Sequence, residues 1–113
     1  MPNVPAVLAA SEPIAHELYG ELIKFARRCG EFTVEEKKAS LHLVRKSAFA
    51  GVHPRKKHLV LTIKAAGPIK NNRVFRSEQV SNSRWHHEVK LSDKSDFDAE
   101  LLGWLEAAYS ISA

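Results

Sequence analysis

Apolar residues recur at Ile14, Leu18, Leu22, Phe25 and Cys29, a spacing of four, four, three and four that draws one stripe along a helix. Ser11 stands where an N-cap belongs, Glu12 and Pro13 suit the first turn, and Gly30 supplies a left-handed stop after Arg27 and Arg28. The period then drops to two. Residues 40–45 alternate polar positions with Leu41 and Leu43, and residues 32–34 offer a short strand before them. Residues 51–57 read as a turn, because Pro54 has no N–H to give to a sheet. The clearest strand spans 58–65, with Leu59, Leu61 and Ile63 on one face and Val60, Thr62 and Lys64 on the other. After the Gly67-Pro68 and Asn71-Asn72 loop, residues 73–80 give a weaker strand. Residues 85–91 set Trp85, His87, Val89 and Leu91 against His86, Glu88 and Lys90. Finally, Ser95 as N-cap and Asp98 three residues on open a helix whose apolar stripe is Phe97, Leu101, Trp104, Leu105 and Ala108.

Strands run together between two terminal helices, so the expected fold is α+β rather than a parallel α/β sheet. It should be a two-layer domain over residues 11–113, with an antiparallel sheet of four to five strands and both helices on one face. Residues 1–10 are expected to form an extended arm, since Pro2 and Pro5 oppose regular structure. This arm has an apolar character but no Lys or Arg, unlike a signal peptide. With a single cysteine, Cys29, the expected compartment is the cytoplasm. At 113 residues and 12.6 kDa the chain makes one domain. Its 44% hydrophobic content can support a core, and no apolar run approaches the roughly 20 residues of a membrane span.

Charge changes this picture more than composition does. The net charge is +4, yet residues 1–36 hold three basic and six acidic side chains, a balance of −3. Residues 37–94 hold fourteen basic and three acidic side chains, a balance of +11, and residues 95–113 hold four acidic and no basic ones. A basic sheet between acidic helices suggests an anionic partner, because summed like charge concentrates counter-charge. The plainer reading is that acidic helices neutralise a basic sheet within one fold.

The run from Arg45 to Lys57, the strand of Leu59 to Ile63, the Trp85-His86-His87-Glu88-Val89 segment and the Leu102-Gly103-Trp104-Leu105-Glu106-Ala107-Ala108-Tyr109 ending resemble the bacterial domain-of-unknown-function family 5655. The resemblance covers roughly residues 32–110. More distantly, the chain is similar to YjbR-type double-wing proteins, in which a strand pair precedes a C-terminal helix ending in tyrosine. The resemblance implies a fold and a bacterial source. It carries no catalytic residues with it.

Candidate chemistry centres on the basic block. Arg45, Lys46, Arg55, Lys56, Lys57, Arg73, Arg76 and Arg84 are candidates for contacting phosphates, with Trp85 and His87 as stacking surfaces beside them. Nucleic acid or another polyanion is therefore the expected partner, although no helix-turn-helix, aromatic RNA-binding run or zinc-finger spacing occurs. Six histidines raise the question of a metal, but adjacent His86 and His87 point to opposite faces of a strand. No second cysteine supports zinc, and no clustered glycines suggest a phosphate loop, so no metal and no cofactor is expected. Cys29 falls on the apolar stripe, where a thiol is inert, and no serine sits in a nucleophile elbow. The favoured function is a non-catalytic binding domain. The alternative is a homodimerising or protein–protein module using a strand edge or an uncovered sheet face. A third reading, an enzyme built on His53 and His87, requires His53, His58 and one of His86 and His87 to converge.

Overall fold

The computed structural model describes residues 6–113. Helix α1 (Pro13–Ala26) precedes six strands: β1 (Thr33–Glu36), β2 (Leu41–Val44), β3 (Ala48–Pro54), β4 (Leu59–Ala65), β5 (Val74–Ser81) and β6 (Arg84–Leu91). Helix α2 (Ala99–Ser110) follows. The six strands form one antiparallel sheet in the order β1-β2-β3-β4-β6-β5.

The architecture is therefore α+β as expected, with six strands rather than four to five. The extra strand is β3, in the stretch expected to turn. Pro54 tolerates this because it is the last residue of β3, paired with Leu59 beside the turn to β4. Gly51 and His53 sit in the ladder, and their neighbours Ala50 and Val52 are buried. The strand was obscured by its small residues, which carry little alternation in hydropathy.

Both helices pack on one sheet face. Leu18 and Leu22 of α1 and Leu101 and Leu105 of α2 are fully buried with Leu41, Leu43, Val52, Leu61, Ile63, Val89 and Leu91 of the strands. Helix α1 is turned by about one position from the expected stripe. Ala15 and Ala26 join Leu18 and Leu22 at the buried centre, while Ile14, Phe25 and Cys29 flank it partly covered. Two small residues let the helix lie close to the sheet. An extra β3 residue between the Leu43–Ala50 and Val44–Ala48 pairs, Phe49, is swung into the core by this bulge. Its ring meets Phe32 and Tyr109 edge-on at 5.6 and 5.3 Å.

The helix ends differ from expectation in instructive ways. Glu12, not Ser11, is the N-cap of α1, with Pro13 at its start and no side-chain cap bond. The Ser11 hydroxyl instead donates to the Arg55 carbonyl, and the Glu12 amide donates to Lys56 at 2.7 Å, tying the helix entry to the β3–β4 turn. At the other end, Asp93 and Asp96 form a capping box around a short 3-10 turn, Lys94–Asp96. Asp98 then caps α2 by accepting from the Leu101 amide. Ser95 caps neither helix, because its hydroxyl donates to Asp93 at 2.6 Å. Gly30 does take a positive φ of 142° and lies against the Tyr109 ring.

Of the expected N-terminal arm, residues 1–5 lie outside the described residues. Ala6–Leu8 form a single 3-10 turn rather than an extended segment. Leu8 is buried in the core, and the Ala6 amide donates to Glu36.

Candidate functional site

Alternation along the strands determines what the helices leave bare. Where one side of a strand must be leucine or valine to meet the helices, the other side is free for other chemistry. The uncovered face carries a row that crosses all six strands: Glu35, His42, Gly51, Thr62, Glu88 and Arg76 are successive cross-strand partners. His53, Lys64, His86 and Lys90 occupy the same face in flanking rows.

At its centre is a hollow of about 160 Å³ lined by His42, Ala48, Gly51, His53, Thr62, Lys64 and His86 among others. Gly51 forms the floor. A β-carbon there would meet His42 Cδ2 and Thr62 Cβ at 3.8 Å and His53 Nε2 at 4.0 Å, so two imidazoles and a threonine converge over one missing side chain. The Lys64 ammonium donates to Ser47 Oγ at 2.9 Å at one margin. Such a volume is below the several hundred Å³ of a typical drug-sized ligand site, and suits one flat ring or a small anion.

Basic and acidic residues nearly balance on this face: Lys64, Arg76, Arg84 and Lys90 stand against Glu35, Glu78 and Glu88. Arg76 lies 3.7 Å from Glu88, outside the hollow. Desolvation pushes the Lys64 pKa down, and Arg84 pushes it further. Desolvation likewise lowers the His53 pKa, aided by Arg55 and His42 and opposed by Glu88. His58, outside the hollow, is lowered by burial and by Lys90 and Arg55.

The ten residues singled out from sequence do not gather into one patch. Arg45, Lys46 and Arg84 flank the turns at one end of the strands, whereas Arg55, Lys56 and Lys57 form the turn at the other end, about 20 Å away for a seven-residue strand. Arg45 lies over the Tyr109 ring, 4.2 Å from its centre, and donates to the Tyr109 carbonyl. Arg73 is held on α2, within 2.9 Å of Asp98 and 3.1 Å of Glu100, donating to the Asp96 carbonyl beside the Trp104 ring. Trp85 stacks on His87 at 5.8 Å on the helix-covered side, and His87 is fully buried. Five of the ten thus have structural partners, counting Arg76 with Glu88. Lys46, Arg55, Lys56, Lys57 and Arg84 make no ion pair among the described residues.

Sequence reasoning raised a clustering of histidines that included His53 and His86, but missed Gly51, Thr62 and Lys64 as lining residues of the same site. Their shared parity was the available signal, but it became usable only once β3 was known to be a strand. It also missed a hydrogen-bonded pair on the opposite face. His87 Nε2 donates to the Gly67 carbonyl at 2.9 Å, so the neutral ring's Nδ1 accepts a hydrogen bond from the Ser77 hydroxyl at 2.7 Å. Neither the central hollow nor the crevice lined by Gly67 and Trp104 includes Ser77, and the bond serves to fix the buried ring. Of the histidines expected to converge, His53 and His86 line the hollow together, while His58 lies outside it and His87 faces the helices; no group of three metal-ligating side chains exists among the described residues.

The fold and site define a two-layer α+β domain with one open sheet face and a histidine-lined hollow at its centre. The model of the domain of unknown function DUF5655 matches residues 6–112, and the chain belongs to that family. No curated protein and no solved structure matches it.

Proposed function

We propose that the protein is a non-catalytic binding domain that holds single-stranded nucleic acid across the uncovered face of its sheet. The observation that carries this reading is the hollow over Gly51, where the imidazoles of His42, His53 and His86 and the Lys64 ammonium surround space for one flat ring. Imidazole faces stack on bases, and a lysine beside them meets the adjoining phosphate. Lys46 and Arg84 at one end of the strands, and Arg55, Lys56 and Lys57 at the other, offer backbone contacts on both sides. This divided arrangement suits a thread of repeated negative charge better than a single compact anion. It also replaces the single basic patch expected from sequence.

A fluorescently labelled oligonucleotide of about ten nucleotides, titrated at low salt, tests the proposal. Affinity is expected to fall linearly on a log–log plot against salt, with a slope near −0.7 for each phosphate neutralised. Replacing Lys64 and Arg84 together by alanine should reduce that slope. Absence of binding at about 20 mM salt, or a slope untouched by these substitutions, refutes it.

A further inference from the structure

Among the described residues, the two large apolar side chains left mostly in solvent, Phe75 at 58% and Val80 at 52% exposed, lie on the same strand, β5. This strand is an edge of the sheet, eight residues long, and every residue after Val74 is exposed. Edge strands usually carry lysine or proline, or are very short, to prevent pairing with another chain. The opposite edge, β1, follows that pattern with four residues and Lys37-Lys38 beside it. Strand β5 contains no lysine and no proline; its ladder to β6 slips at Phe75 and at Val80, so the regular stretch it offers a partner is Arg76–Gln79.

We infer that β5 pairs antiparallel with β5 of a second copy of this chain, with Ser77 opposite Ser77 of the partner subunit. The charge pattern selects this register. Arg76 and Glu78 flank Ser77 and both point to the open face, since their partners on β6 are Glu88 and His86. With Ser77 on the two-fold axis, each Arg76 faces Glu78 of the partner subunit, and symmetry makes the pair twice. A shift of one residue to either side along the strand sets Arg76 against its own copy, or Glu78 against its own copy. Registers without a residue on the axis place open-face and helix-face positions opposite each other, which the pleat forbids. The register shifts at Phe75 and Val80 bound this paired stretch at its two ends. The two-fold axis is perpendicular to the sheet, so both open faces lie on the same side. The dimer is a continuous twelve-stranded sheet with two histidine-lined hollows on one surface. It stands independently of what those hollows bind.

Light scattering and sedimentation test it. The wild-type protein should show a mass about twice 12.6 kDa at roughly 100 μM. Arg76→Glu and Glu78→Arg should each weaken the dimer by roughly 30-fold, because each converts two attractive cross-strand pairs into repulsive ones. The double variant R76E/E78R should recover most of the lost affinity. Val80→Lys, at a solvent-facing position that folding does not depend on, should leave a folded monomer by circular dichroism. A wild-type protein that stays monomeric at this concentration overturns the inference. So does a dimer indifferent to the single charge reversals, or one that the double variant fails to restore. Oligonucleotide binding by the folded V80K monomer reads the function of the open face separately.

Discussion

Glycine in the middle of a strand costs stability, because it has no side chain to pack and loses the most chain freedom on folding. Gly51 sits in β3, flanked in register by His42 and Thr62, where a valine would be the ordinary choice. Its backbone does not require glycine: among the described residues, the positive-φ glycine is Gly30 alone. A β-carbon at Gly51 would have its nearest neighbours at 3.8–4.0 Å, ordinary van der Waals contact. Valine should therefore fold at least as well, gaining up to about 1 kcal/mol from strand propensity and reduced unfolded-state entropy. This corresponds to a melting temperature raised by about 4–8 °C. The same side chain would stand between His42 and His53 and fill the floor of the hollow. If one base stacks there, its loss is worth about 1–3 kcal/mol, which weakens oligonucleotide affinity between about fivefold and 150-fold. Thermal melting and fluorescence anisotropy on Gly51→Val, with Gly51→Ala as a graded intermediate, give both quantities. A stable G51V variant that binds as tightly as wild type would show that the hollow holds no base. A large loss of stability would show that the glycine is retained for packing, and the functional argument from it would fail.

Three further outcomes follow from the structure. Arg73→Met should lower stability by about 2 kcal/mol in urea unfolding, through loss of charge-assisted bonds to Asp98, Glu100 and the Asp96 carbonyl, while leaving oligonucleotide affinity unchanged. A parallel fall in affinity would return Arg73 to the binding surface. Gly30→Ala should cost about 2–4 kcal/mol, since alanine is strained at φ 142° and its β-carbon would strike the Tyr109 ring, breaking the bond from Tyr109 to the Glu31 carbonyl. Relief of part of that loss in G30A/Y109A, read in a double-mutant cycle, checks the steric share. Burial holds the His53 and His58 pKa values below their usual 6.5 in the fold, so the unfolded chain binds more protons between the lowered values and 6.5. Stability should therefore rise with pH through that window and level off above it. Affinity for an anion seated against His53 should move the opposite way, strengthening as pH falls. Urea midpoints and binding titrations between pH 5 and 8 separate the two, and an affinity that weakens on acidification argues against anion contact with the imidazole.

The sequence by itself determined the elements whose hydrophobic period is long or strict. Ile14 to Cys29 made a helix, Leu59, Leu61 and Ile63 fixed the buried face of β4, and Val89 and Leu91 did the same for β6. These side chains bury apolar area in one direction only, and the period of a pattern is a local property. The outward parity of β4 and β6 followed with it, but Gly51 and His53 joined that face only once β3 was a strand. Tertiary structure decided what local pattern cannot hold. Ala48, Gly51 and Pro54 became a strand because β2 and β4 lay on both sides to pair with them. The Phe49 bulge and the turn of α1 by one position were settled by packing. The basic block was visible as a sum, but Arg73, Arg76 and Arg45 were drawn to α2, Glu88 and Tyr109, partners distant in sequence. Charge in a sequence gives only a total, whereas a field depends on distances, and those exist only once the chain has folded.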